Sequence, residues 1–169
     1  MNTPLQRILM SHDKTRTIAY LKAHPEEVDE AVRLALGDQR PFCWRAAWLL
    51  YHCLQPNDPR ILPKIDSIIG CLPEKEDGHQ RELIKILLLM DLNEQQEGVV
   101  FDLCMNMWET IQKAPSVRHT AFKMIARITE KYPDLKKEIA FITQDRYLET
   151  LSPGIRRSVE RMVADTHRD

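Results

Sequence analysis

The sequence lacks the features on which a β-sheet protein or a known type of enzyme would depend. It has only five glycines and few runs of β-branched residues, which argues against a sheet. The spaced motifs GxSxG, GxGxxG, HExxH and the P-loop are all missing. The sequence therefore predicts no catalytic residues, no cofactor and no metal site, and it favours a protein that is not an enzyme.

Cysteines are few and are not spaced for a shared site. The four are Cys43, Cys53, Cys71 and Cys104, and none forms a CxxC pair. Each lies in or beside an apolar helical segment, where a free cysteine behaves as a small hydrophobic residue. Because disulfide frameworks and zinc sites need other spacings, we expect neither.

Long apolar runs and a large net charge are also missing. The longest apolar run, Ile86 to Met90, is too short to span a bilayer, and Met1 to Met10 lacks the apolar stretch of a signal peptide. The net charge is −1, so the overall charge predicts no binding to polyanions. We therefore expect a cytoplasmic protein that has no membrane partner and forms a single domain over residues 1–169.

What the sequence does contain is a segment that recurs. It is centred on Arg45, and related segments follow around Arg81, Arg118 and Arg156, at intervals of 36, 37 and 38 residues. Nearly equal intervals of this length indicate a repeat architecture. The residues three, six and seven positions after each arginine are mostly apolar and fall within one sector of a helix. Each repeat is therefore predicted to contain a helix with a buried stripe and an arginine at the N-terminal end of that stripe.

A guanidinium group at the start of a buried stripe needs a partner, because burying it unpaired is costly. We interpret the four arginines as a structural ladder in which each one pairs with a carboxylate or a carbonyl of a neighbouring repeat. The candidate carboxylates are Asp38, Asp77 and Glu149. A row of arginines that bind a ligand or catalyse a reaction is the alternative.

The pattern resembles the HEAT and armadillo-like repeats over roughly residues 38–166. Two dipeptides at the start of predicted helices, Val117-Arg118 and Ile155-Arg156, look like the turn signature of that family. The resemblance implies an all-α fold, a right-handed α-α superhelix of about nine helices in roughly four pairs. It also implies a concave face that binds a partner, and it implies no chemistry.

Residues 1–37 match the pattern poorly, and we interpret them as an atypical N-terminal repeat or cap. Prolines that open the other helix of a pair are also similar to the family, as at Pro59 and Pro133. The helices that these prolines begin are expected to extend to about Ile69 and Leu148.

Isolated histidines and tryptophans have structural and functional interpretations. His52 lies on the predicted buried stripe, so we interpret it as a core histidine. His119 is expected to face solvent rather than to act in catalysis. We expect the three tryptophans to be core anchors rather than rings that stack on a base or a ligand. They are Trp44, Trp48 and Trp108.

Charge is unevenly distributed along the chain. Residues 82–112 contain one lysine against six acids, whereas residues 113–168 contain twelve Lys and Arg against seven acids. In a HEAT-like stack, the positions one and five residues after each ladder arginine would lie on the concave side. The groove would then be apolar at its N-terminal end, at Leu50 and Ile86. Its C-terminal end would be basic, with Lys123, Arg127, Arg157 and Arg161.

Two functions follow from this groove, and a third interpretation is that its charges are simply solvated. The first is a non-catalytic binding module or scaffold whose concave face holds a protein or an acidic peptide. The alternative resembles the HEAT-like DNA glycosylases, with the basic C-terminal third gripping the phosphate backbone. The low net charge and the lack of an aligned Trp and Asp pair argue against this alternative.

Overall fold

The computed structural model describes residues 2–168 and is all-helical, as predicted. Over those residues it contains eleven α-helices and no strand. In chain order these are α1 Pro4–Leu9, α2 Lys14–Ala23, α3 Val28–Leu36, α4 Phe42–Cys53, α5 Ile65–Cys71, α6 Asp77–Leu87, α7 Glu94–Glu109, α8 Pro115–Lys131, α9 Lys136–Ile142, α10 Asp145–Leu148 and α11 Pro153–Thr166. None of these helices is both long and apolar enough to cross a membrane.

One predicted helix begins later than expected. The helix that we expected to begin at Pro59 becomes α-helical only at Ile65, after a 3-10 turn over Leu62–Lys64. Pro63 lies within that turn, where the missing amide hydrogen costs little because an early turn leaves its first donors unpaired anyway. Pro63 therefore lies just before the first residue of the α-helix, Ile65, where a proline is tolerated.

Another predicted helix is divided in two. The segment over residues 133–148 begins as a 3-10 turn, continues as α9 and resumes as α10. Gln144 has an extended backbone, with ψ at 155°, and therefore interrupts the helical hydrogen bonds. Directly before Gln144, at the C-terminal end of α9, the hydroxyl of Thr143 donates to the carbonyl oxygen of Ile139 at 2.8 Å. This break accounts for part of the difference between the eleven α-helices of the described residues and the nine or so expected.

The chain divides into two compact units, residues 1–91 (the N-terminal unit) and residues 92–169 (the C-terminal unit). The N-terminal unit is organised around α4, which packs against α1, α2, α3 and α6. Ala46 and Ala47 are completely buried, and their small side chains allow the neighbouring helices to approach α4 closely. The ammonium group of Lys75 donates to the carbonyl oxygens of Leu36 and Gly37 at 2.9 and 3.1 Å, which caps the C-terminal end of α3.

The C-terminal unit is organised around α8, which packs against α7 and α11. Trp108 and Phe122 meet in its core with ring centroids 4.6 Å apart. The indole Nε1 of Trp108 donates to the carbonyl oxygen of Ile142 at 2.8 Å, so the ring is fixed in position as well as buried. Trp108 is therefore the core anchor that the sequence predicted.

Two expectations about exposure in the N-terminal unit are wrong. Leu50 and Ile86 are only 2 % and 0 % exposed, so they cannot provide apolar contacts in an open groove. His52, which we expected in the core, is exposed. The physical reason is that α4 and α6 pack against each other as well as against other helices, so each buries more than one stripe. His52 lies in the last turn of α4, where that packing ends.

Candidate basic aromatic pocket

A pocket of about 390 Å³ opens within the N-terminal unit, between the turn that follows α1, the first part of α2, and the helices α4 and α6. Two indole rings and four cationic side chains give it its character, and we call it the basic aromatic pocket. These residues are Trp44, Trp48, Lys14, Arg45, Arg81 and Lys85. A volume of this size is in the range of pockets that hold a small molecule or a large side chain.

Helical spacing brings the lining residues together. Trp44 and Trp48 are four residues apart on α4, and Arg81 and Lys85 are four residues apart on α6. Residues at this spacing lie on the same face of a helix. Because α4 and α6 pack against each other, the two aromatic rings and the two cations line the same cavity.

Arg45 is held in place by the end of α1. Its Nη1 donates to the backbone carbonyl oxygen of Leu9 at 2.6 Å, and its guanidinium carbon lies 5.4 Å from the centroid of the Trp44 ring. The hydrogen bond uses one of the five N–H donors of the guanidinium group. The group is therefore positioned at the pocket wall.

A buried carboxylate fixes the two cations of α6. Glu82 is almost fully buried; its Oε1 accepts from the Nε of Arg81 at 2.9 Å and its Oε2 accepts from the Nζ of Lys85 at 2.8 Å. Removing Arg81 or Lys85 would leave the buried carboxylate of Glu82 with one partner fewer, which would destabilise the fold. Four cations against one carboxylate leave the pocket with a positive potential.

The two tryptophans of the pocket are not the core anchors that the sequence predicted. Trp44 is 41 % exposed, and Trp48 is half-buried with the ammonium group of Lys14 lying 5.8 Å from its ring centroid. An exposed indole beside a cation presents both a flat apolar surface and a charge to a ligand. This combination suits an anionic group carried on an apolar or aromatic body.

His52 lies beside the pocket and responds to its charge. Its ring centroid is 4.6 Å from that of Trp48. Partial burial lowers the pKa of His52, and the positive charge of Lys85 lowers the pKa further. The histidine therefore reports on the electrostatic potential of the pocket.

The basic residues that the sequence singled out lie in the C-terminal unit. Lys123, Arg157 and Arg161 are exposed, and we call them the α8–α11 basic surface. The Nε2 of His119 and the Oγ of Ser158 lie 2.9 Å apart, and this contact joins α8 to α11. Helical spacing places the basic surface within about one turn of that contact.

Arg127, the fourth basic residue of that prediction, is half-buried. It lies near the buried carboxylate of Glu97, which accepts hydrogen bonds from Lys131 and from the hydroxyl of Tyr132. Burial acts to raise the pKa of Glu97, but these hydrogen bonds and the charges of Lys131 and Arg127 outweigh it and lower the pKa. The positive charge of Arg127 therefore helps to stabilise the buried carboxylate of Glu97 in the C-terminal unit.

The four ladder arginines do not share one kind of environment. Arg45 donates to a carbonyl oxygen, and Arg81 donates to the carboxylate next to it in sequence. Arg118 is fully buried and donates to two carbonyl oxygens and a hydroxyl group. Arg156 is partly exposed and donates to Glu160 of its own helix at 3.1 Å. The repeat therefore places the arginines regularly along the chain, while the neighbours of each one decide its partner.

Asp38, one of the three carboxylates proposed as partners of the ladder arginines, pairs with a lysine instead. Asp38 is exposed and pairs with the ammonium group of Lys75 at 2.5 Å, not with a ladder arginine. This pairing lowers the pKa of Asp38, through the hydrogen bond first and the charge of Lys75 second. Among the described residues, no three of His, Cys, Asp and Glu come together in a way that could hold a metal ion.

Sequence reasoning missed the basic aromatic pocket, although part of its signal was present. Trp44 with Trp48 and Arg81 with Lys85 each have the spacing of neighbours on one helical face. What the sequence could not supply is that these two faces meet, because that depends on how α4 packs against α6.

Stacked helical repeats that present an extended binding surface are typical of helical-repeat proteins. The model of the HEAT repeat domain family matches residues 1–166, and the chain belongs to that family. This assigns it to the helical-repeat scaffolds and binding modules, and the match includes residues 1–37, which sequence analysis set apart. A search of curated proteins and a search of solved structures each found no match.

Proposed function

We propose that the protein is a non-catalytic binding module that holds an acidic segment of a partner protein in the basic aromatic pocket. The observation that carries this proposal is the meeting of four cations and two accessible indole rings in one cavity of the N-terminal unit. HEAT repeats commonly mediate protein interactions, which favours a protein ligand.

Electrostatics and shape support the same kind of ligand. Carboxylates of Asp and Glu are attracted by the potential of the four cations, and this attraction is strongest where water is partly excluded. The rings of Trp44 and Trp48 add apolar contact, and aromatic residues with arginine are enriched where proteins bind tightly. An acidic segment that also carries an apolar or aromatic side chain fits both features.

The α8–α11 basic surface is the competing site for the same kind of partner. Its three cations are exposed, and exposed charges on helices are commonly solvated and contribute little. The basic aromatic pocket adds accessible rings and a fixed carboxylate network to its charge. We therefore favour the pocket over this surface.

A matched pair of charge reversals tests the proposal. Lys14 lines the pocket and begins α2, where an acidic residue suits the N-terminal end of the helix, so Lys14→Glu should fold. Arg157→Glu makes the same charge change on the α8–α11 basic surface. The ligand is a fluorescent pool of short peptides rich in Asp and Glu with one aromatic residue, and binding is followed by fluorescence anisotropy.

We expect Lys14→Glu to weaken binding by about tenfold, which corresponds to roughly 1.4 kcal/mol, and Arg157→Glu to leave it unchanged. The opposite pattern would move the site to the C-terminal unit. Binding of a single-stranded oligonucleotide more tightly than the peptide pool at the same salt concentration would favour the nucleic-acid alternative instead.

A further inference from the structure

We infer that the group anchoring the acidic segment is a phosphorylated tyrosine, held with its ring against the indoles and its phosphate among the cations. This inference rests on the proposed function, because it specifies the ligand of the same pocket. It follows from the number of cations, from their position relative to the rings, and from the size of the cavity.

The charge of the pocket suits a dianion better than a single carboxylate. The residues that line it include two arginines, two lysines and one carboxylate, that of Glu82. A phosphate monoester carries close to two negative charges at neutral pH and has three acceptor oxygens. Arginine donates to such a group through two parallel N–H bonds, and lysine adds a point charge.

The placement of rings and cations suits an aromatic phosphate rather than a phosphate on a short side chain. Arg81 and Lys85 are held by the buried carboxylate of Glu82, and they line the same cavity as the exposed Trp44. A tyrosine ring lying against the indoles would place its phosphate near these cations. A phosphate on a serine would leave the indole faces without a partner.

The size of the cavity is consistent with this ligand. About 390 Å³ can accept a whole aromatic side chain with its phosphate, whereas a carboxylate alone would leave most of that space to water. Ring contacts of the expected kind contribute beyond simple area burial. The ring and the phosphate should therefore each contribute measurably to affinity.

Small probes test this inference directly. Phenyl phosphate, inorganic phosphate and thymidine monophosphate are titrated separately into the whole protein, with tryptophan fluorescence and calorimetry as readouts. We expect phenyl phosphate to bind at least about tenfold more tightly than inorganic phosphate. Trp44→Ala should remove this preference while leaving the weak binding of inorganic phosphate. Equal affinity for the two phosphates, or tighter binding of the nucleotide, would overturn the inference.

A peptide experiment separates failure of this inference from failure of the proposed function. One acidic peptide is prepared with tyrosine and again with phosphotyrosine. Tighter binding of the phosphorylated form by tenfold or more, lost in Lys14→Glu, is the expected result. Equal binding of both forms, with loss in Lys14→Glu, would overturn the phosphotyrosine ligand and leave the acidic-segment function standing. Binding of neither form would contradict both.

Discussion

The guanidinium carbon of Arg118 lies 4.7 Å from the ring centroid of Trp108, and its Nε donates to the backbone carbonyl oxygen of the same tryptophan at 2.8 Å. The other two nitrogens donate to the carbonyl oxygen of Tyr147 at 2.7 Å and to the hydroxyl of Thr150 at 2.8 Å. One side chain therefore joins the end of α7 to the turn after α10. Burial lowers the pKa of Arg118, and the surrounding oxygen atoms compensate the cost of burying its charge.

Replacing Arg118 should therefore destabilise the protein strongly. Arg118→Met leaves two carbonyl oxygens and a hydroxyl group short of a partner, so we expect a loss of roughly 3 kcal/mol in the free energy of unfolding. Arg118→Lys should recover only part of it, because an ammonium group cannot reproduce the planar fork. Urea unfolding followed by circular dichroism measures both values.

The equivalent arginine of the next repeat provides the control for this experiment. Arg156 has a side chain that is 43 % exposed, whereas Arg118 is 0 % exposed. Arg156→Met should therefore cost less than about 1 kcal/mol. Similar losses for the two substitutions would mean that the arginines share one structural role after all.

Asp58 should contribute to stability only above strongly acid pH. Hydrogen bonds from the Arg60 side chain lower the pKa of Asp58 from 3.8 to about 2, although burial acts in the opposite direction. Because the folded pKa lies below the unfolded value, the contribution is fully present above pH 4 and is lost as the pH falls towards 2. It amounts to roughly 2 kcal/mol.

Asp58→Asn should lower the free energy of unfolding at pH 6 and flatten its decline between pH 4 and pH 2. Asp102→Asn, at an exposed position on α7, provides the comparison. Unfolding in urea at a series of pH values gives both curves. An unchanged acid slope in Asp58→Asn would show that the Asp58–Arg60 pair is not responsible.

Trp44 should matter for binding. It is 41 % exposed and forms one wall of the basic aromatic pocket, so Trp44→Ala takes away that wall. We expect the affinity for the acidic peptide pool to fall by about tenfold, since exposed aromatic rings dominate many binding sites.

Phe141 is the matched control for Trp44. It is 50 % exposed and has the Arg146 guanidinium 5.4 Å from its ring centroid, the same separation as between Arg45 and the Trp44 ring. Phe141→Ala should leave peptide binding unchanged. Equal losses in the two variants would indicate a general contribution of exposed rings rather than a site.

His52 should take up a proton more readily when the pocket is filled. Partial burial and then the charge of Lys85 lower its pKa, and a bound anion would offset that charge. We therefore expect saturating phenyl phosphate to raise the pKa of His52. NMR titration of the histidine ring protons measures the change.

His119 serves as the internal reference for this titration. Burial and then the charge of Lys123 lower its pKa in the C-terminal unit, so its environment is comparable but lies on the competing surface. Its pKa should stay constant when phenyl phosphate is added. A rise at His119 with none at His52 would contradict the assignment of the pocket.

The sequence predicted the helical repeat because a repeat is a property of spacing along the chain. Arginines at intervals of 36 to 38 residues and apolar residues at helical spacing are sufficient to indicate stacked helices. Leu50 and Ile86 were placed wrongly because a helical wheel with one buried stripe assumes one packed side. A helix with neighbours on several sides, such as α4, buries more than one stripe.

The location of the candidate site could not be obtained in the same way. The excess of basic residues over residues 113–168 led to the prediction that Lys123 and Arg161 belong to the binding site. Lys14, Arg45 and Lys85 are separated by acidic residues in the sequence, and only the packing of their helices brings them to one cavity. The three-dimensional arrangement, rather than local composition, therefore determines where positive potential and aromatic surface coincide.

The most direct measurement is a map of backbone amide chemical shifts during titration with the phosphotyrosine peptide. Binding at the basic aromatic pocket should shift the amides of the turn after α1, of the first half of α4 and of α6, with Trp44 and Arg81 among the largest changes. Shifts clustered around Lys123, Arg157 and Arg161 instead would contradict the pocket as the binding site.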